Sequence, residues 1–201
     1  AAQPLPVTLQ SNLFGLLVFG FGILVSLWPL HTWAPLGYGA APSSNAMLHA
    51  GVLKKFGLYG LLRLVLPMTP AGWKEISWVV GLMLAGNILY LGLAALQQRD
   101  LRWLLGFSSA MHMGTVFLGL IGGTVLGLGG ALTLMVAHGL SAALGFAVAG
   151  DISQRTGTTW MQDLGGLGKR APNLWFYLMV AAMASIGLPG LANFAGEIMI
   201  F

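Results

Sequence analysis

Six apolar runs, each close to the length of a membrane-spanning helix, take up most of this chain. A bilayer core needs about 20 apolar residues per helix. Runs at residues 12–30, 44–66, 76–96, 102–121 and 126–150 meet that need. A sixth begins near Pro172, is interrupted at "GLPG" (187–190) and resumes through 192–201. No apolar–polar alternation of the β-barrel kind competes with them. The runs predict an all-α, polytopic transmembrane helix bundle in one domain over residues 1–201. A water-soluble alternative fails on charge. Charged residues make up 7% of the chain, against about 25% in soluble domains. Hydrophobic residues reach 57%, and the mean hydropathy is +0.82.

The remaining composition narrows the class further. Thirty glycines suit a bundle whose helices pack through small residues. The formal charge of +4 is spread over loops and helix interiors, so it marks no nucleic-acid surface. With no cysteine, disulfides and thiolate metal sites are excluded. Residue 1 is alanine, and the expectation is that no signal peptide precedes the first run. The last run stops at Phe201 inside "FAGEIMIF", which predicts a piece of a longer protein.

Loop charges orient the bundle. Alternate loops fall on opposite sides, with Arg99, Arg102, Arg155, Lys169 and Arg170 on one and Arg63 and Lys74 on the other. The positive-inside rule assigns the richer side to the cytoplasm or its equivalent, with the protein in an energy-transducing membrane such as a bacterial inner membrane.

Against this apolar background a few ionisable residues stand out. Lys54 and Lys55 lie side by side near the centre of the second run. A lysine at that depth costs roughly 2.5–3.5 kcal/mol to insert. Neighbours on a helix point about 100° apart, so the two cannot serve one site. Either interface lies more than two turns away, a long reach for snorkelling. His112 and His138 sit near the centres of the fourth and fifth runs. A lone membrane histidine is commonly a hydrogen-bonded packing residue. Three ionisable positions at one depth on three runs instead predict a proton relay. Two histidines without a nearby carboxylate are too few for a metal. Glu197 is the one carboxylate inside an apolar stretch; Asp100 and Asp163 read as loop residues. Arg102, at the start of the fourth run, is placed either to reach inward or to snorkel outward.

Interruptions add a second signal. "WPLHTWAP" (28–35) ends the first run with two prolines, and "GLPG" breaks the last. Proline removes a helical hydrogen bond and frees a carbonyl. In a membrane such breaks persist where the freed groups face protein or a wet cavity. Breaks at corresponding places in two halves predict an inverted-repeat transporter.

Five segments in register carry a family resemblance: "PLHTW", "AGVLKKFGLYGLLR", "QQRDLRWLLGFSSAMHMG", "MVAHGLSAA" and "IGLPGLANFAGEIMIF". Over about residues 4–201 they resemble the antiporter-like subunits of respiratory complex I, most of all the NuoM type, subunit 4 in mitochondria. The wider family takes in Mrp-type antiporter subunits and the membrane arms of hydrogenases. The resemblance implies that Lys55, not Lys54, is the central lysine. It adds His112, His138 and Glu197, and Arg102 where the family usually has lysine, as a hydrophilic axis that carries protons at mid-membrane. It implies a proton-translocating subunit of an NADH:quinone oxidoreductase-like assembly, held among other membrane-arm subunits and lipid. The chain itself is expected to hold no flavin, iron–sulfur cluster or haem, since it has neither cysteine nor a nucleotide-binding loop; electron transfer falls to partners. The alternatives are the same fold in a Na⁺/H⁺ antiporter or membrane hydrogenase, or a scaffold that has lost pumping.

The resemblance also departs in two places. The lysine that the family carries in its first broken helix aligns with Leu24, and no basic residue occurs from Ala1 to Leu30. The family's "PDAH" reads "PLGY" here, Pro35–Tyr38. The expectation is a dry pocket around Leu24 that no basic group fills, and a minor role for Lys54.

Overall fold

A computed structural model describes residues 5–201; the first four residues, where the resemblance begins, lie outside them. Helices and loops account for the described residues, with one isolated bridge between Asp100 and Trp160 and no β-strand. Helix α1 covers Val7–Val25 and stops where Ser26 turns left-handed (φ 64°, ψ 48°), five residues before the expected end. A short α2, Trp33–Ala40, follows the break. Helix α3 runs over residues 43–68 and is widened by two π-turns, His49–Leu53 and Leu61–Val65.

Helix α4, Pro70–Leu96, starts six residues earlier than expected. Pro70 occupies its first position, where a missing N–H costs nothing. Helix α5 is Leu101–Ile121. Its cap is Asp100, whose carboxylate accepts from the amides of Arg102 at 2.8 Å and Trp103 at 3.3 Å. Helix α6, Val125–Thr156, has 32 residues, a length of roughly 48 Å. After the single turn α7 (Leu167–Arg170) the last expected run is two pieces, α8 (Pro172–Ser185) and α9 (Ala192–Ile200). Neither piece alone would span a bilayer core.

Helices α5 and α6 form the centre, and the rest wrap around them. Phe14, Leu58, Met113, Val116 and Leu134 pack in the largest buried cluster. The outward faces carry Leu16, Phe19, Leu82, Leu93 and Leu140, the reverse of a water-soluble surface. At one end the Leu101 amide donates to the Thr159 carbonyl and the Met161 amide to that of Arg99, both at 2.9 Å. Arg99 and Arg102 thus share an end with the 155–170 segment, as their alternation in sequence predicts. At the opposite end the Ala71 amide donates to Gln10 at 3.0 Å, and the Ser11 hydroxyl donates to Glu75.

Candidate functional site: a buried row across four helices

The second broken helix begins the row. The carbonyl of Ser185 would ordinarily accept from the amide four residues on, but that residue is Pro189, which has none. His112 of α5 takes the freed acceptor: its Nε2 lies 2.9 Å from the Ser185 oxygen. Its Nδ1 lies 2.7 Å from the Ser108 carbonyl oxygen. Only the doubly protonated ring can donate to both carbonyls at once; the neutral ring must give up one. Glu197 of α9 places Oε1 3.9 Å from the same Nε2. Gly187, inside the break, has φ 69°, and a Cβ there would collide with the Glu197 carboxylate. The break therefore supplies a carbonyl, a carboxylate and the space between them.

From His112 the row passes to α6. The rings of His112 and His138 lie 5.1 Å apart, centre to centre. His138 then meets α3, with Lys55 Nζ 3.0 Å from its Nδ1. Lys55 also donates to the carbonyl of Ala50, inside the first π-turn of α3. Two glycines make the approach possible. A Cβ on Gly139 would lie 2.7 Å from the Gly51 carbonyl oxygen, and one on Gly51 3.3 Å from that of Gly139. Any larger residue at Gly139 would push α3 from α6 and lengthen the Lys55–His138 bond.

Lys55, His138 and His112 are buried, and Glu197 is partly exposed. The Lys55–His138 bond has two equivalent forms. An ammonium donates to a bare imidazole nitrogen, or an imidazole N–H donates to a free amine. One proton moved between the two nitrogens converts either form to the other. A cavity of about 780 Å³ adjoins Lys55 between α3 and α6. Another of about 540 Å³ adjoins His112 and Glu197. The space beside Lys55 is an open groove lined almost wholly by apolar side chains such as Val52, Phe56 and Leu140.

Arg102 does not join it. It stands ten residues before His112 on α5, roughly 15 Å along the axis. Its guanidinium points to Ser43 at the start of α3, with Nη2 3.4 Å from the hydroxyl.

Lys54 faces away from the row, toward the helix that follows the first break. It is fully buried and leaves α3 toward α2. Its Nζ lies 5.0 Å from the ring centre of Tyr38 and 5.9 Å from that of Trp33. Leu24 of α1 packs against α3 one turn beyond Lys54, its Cβ 3.5 Å from where a Cβ on Gly57 would sit. The sequence reading also missed Asn87, which is fully buried. It accepts from the Trp28 amide at 2.6 Å and donates to the Ala110 carbonyl at 2.7 Å, tying the first break to α5. An asparagine inside an apolar run was the available signal.

The description "NADH:quinone oxidoreductase/Mrp antiporter, TM" matches residues 5–201. The NAD(P)H-quinone oxidoreductase chain 4 2 of Trichodesmium erythraeum is 39% identical over 98% of this chain, which covers 35% of that protein. Respiratory complex I from Thermus thermophilus with bound NADH contains a chain that superposes with a TM-score of 0.92 at 31% identity, over 98% of this chain and 42% of that one. An archaeal membrane-bound sulfane sulfur reductase contains another, with a TM-score of 0.87 at 28% identity, over 93% of this chain and 39% of that one. The chain spans about a third of the length of the curated relatives it matches.

Proposed function

Because this chain, an integral multi-pass membrane protein, belongs to the NADH:quinone oxidoreductase/Mrp antiporter transmembrane family, we propose that it translocates protons as an antiporter-like subunit of a complex I-like NADH:quinone oxidoreductase. Its cargo is the proton, and its partners are other membrane-arm subunits and lipid. The carrying path is the row Lys55, His138, His112, Glu197. The observation that supports it most is the 3.0 Å contact between Lys55 Nζ and His138 Nδ1. It joins two groups that both gain and lose protons, in a place where a fixed charge is costly to keep.

Each group has a distinct part. Lys55 accepts or releases a proton at Nζ beside one cavity. His138 receives it at Nδ1. His112 lies next in line, and its bond to the Ser185 carbonyl ties its protonation to the geometry of the break. Glu197, at the edge of the second cavity, accepts the proton or balances the charge on His112. Arg102 lies outside this path and serves the packing of α5 against α3. The scaffold reading fits poorly, since four costly polar groups are held in line across four helices.

The test is Lys55→Ala in the complete complex. Proton pumping in inverted membrane vesicles, normalised to assembled complex, should be abolished or strongly reduced while assembly persists. Full pumping by the assembled variant would sink the assignment and favour a scaffold.

A further inference from the structure

The first break has its own ionisable cluster, separate from the row. Lys54 Nζ has no hydrogen-bond partner among the described residues. Its neighbours are ring faces: Tyr38 and Trp33 lie within the distance at which an aromatic face attracts a cation. The Tyr38 hydroxyl lies 3.1 Å from His49 Nδ1, and the Trp33 ring packs edge-on against His49 at 5.2 Å. His49 is only half-buried and His31 is buried nearby, with its Nδ1 unpartnered among the described residues. None of the five carboxylates is committed here. Glu75 binds Ser11, Asp100 caps α5, Asp151 pairs with Arg155, Asp163 lies by Thr158, and Glu197 faces His112.

A structural cation in a membrane protein is ordinarily held by a carboxylate or by carbonyls, because an unpaired buried charge is costly. Lys54 has neither. Ring faces favour the ammonium without taking its protons, and the free amine forfeits no hydrogen bond. The nitrogen is therefore able to change protonation state without breaking a pair. His49, half-buried, pairs with the Tyr38 hydroxyl beside it, while Lys54 meets the Tyr38 ring face and not that hydroxyl. Lys55 is the adjacent cation, on a face about 100° away, and a charge on either opposes a charge on the other.

We propose that Lys54, Tyr38 and His49 form a second proton-carrying station, on the face of α3 that serves the α1–α2 break. A proton that crosses the gap from the His49–Tyr38 pair to Lys54 converts its amine to an ammonium, and its departure restores the amine. Loading Lys54 disfavours the ammonium at Lys55 and drives that proton toward His138. This coupling rests on the row proposed above; the station itself does not.

The experiment compares Lys54→Leu, Lys54→Arg, Tyr38→Phe and Lys55→Ala in the complete complex, reading protons pumped per electron pair in inverted vesicles and the amount assembled. Lys54→Leu and Lys54→Arg should both lose most pumping with assembly kept, because arginine keeps the charge but does not release its proton. Tyr38→Phe keeps the ring face and loses only the link to His49, so pumping should fall in part. Full pumping with Lys54→Arg would show that a fixed cation suffices and overturn the station. So would full pumping with Lys54→Leu. If Lys54→Leu fails to assemble, Lys54→Arg alone decides. If Lys55→Ala pumps normally while Lys54→Arg does not, the row fails and the station stands.

Discussion

The two broken helices solve one problem in opposite ways. The α8–α9 break carries its own chemistry: a carbonyl freed by Pro189 and taken by His112, and a carboxylate, Glu197, one turn into the second piece. The α1–α2 break carries no charge of its own. Its loose Trp28 amide is held by Asn87 from α4, and its basic group, Lys54, comes from α3. A break in a membrane helix thus needs polar partners, but it does not need to encode them locally. Where the segment lacks a charge, a neighbouring helix delivers one.

That contrast can be broken at three points. Removing the partner of the second break has the largest expected effect. His112→Leu leaves the Ser185 carbonyl without its donor and separates Glu197 from His138; pumping per electron pair should be nearly lost with the complex assembled. Normal pumping would mean that the second break is structural only. An intermediate effect is expected at the first break. Asn87→Leu orphans the Trp28 amide at a cost of about 1–3 kcal/mol, so the assembled complex should melt at lower temperature and pumping should fall with assembly, not ahead of it. Arg102→Gln touches neither break. It loses one long contact to Ser43, worth about 0.5–1.5 kcal/mol at most, and pumping should stay near normal. A loss comparable to His112→Leu would return Arg102 to the proton path.

The sites were unequally legible. Lys55, His112, His138 and Glu197 stood out because a charged or imidazole side chain in an apolar run is rare and expensive. Arg102 stood out for the same reason, yet it lies near a helix end, where a long side chain has several places to go. Lys54 is not legible in the sequence, because the neighbouring Lys55 accounts for a buried lysine in that run. Its surroundings are Trp33 and Tyr38, which arrive from a helix too short to register as a span.

By itself the sequence determined the all-α membrane class and both interruptions; of its six expected runs, four are single helices long and apolar enough to cross a membrane. These follow from apolar run length and from proline, which act locally along the chain. Only the tertiary structure decided who meets whom. The 3.0 Å between Lys55 and His138 depends on Gly51 and Gly139 letting α3 and α6 approach. The capture of the Ser185 carbonyl depends on α5 facing the second break. Lys54 turns to the first break because α2 folds back over that face of α3. Such contacts join residues far apart in sequence. They are set by how helices pack once water is gone, when every freed polar group must find a partner inside the protein.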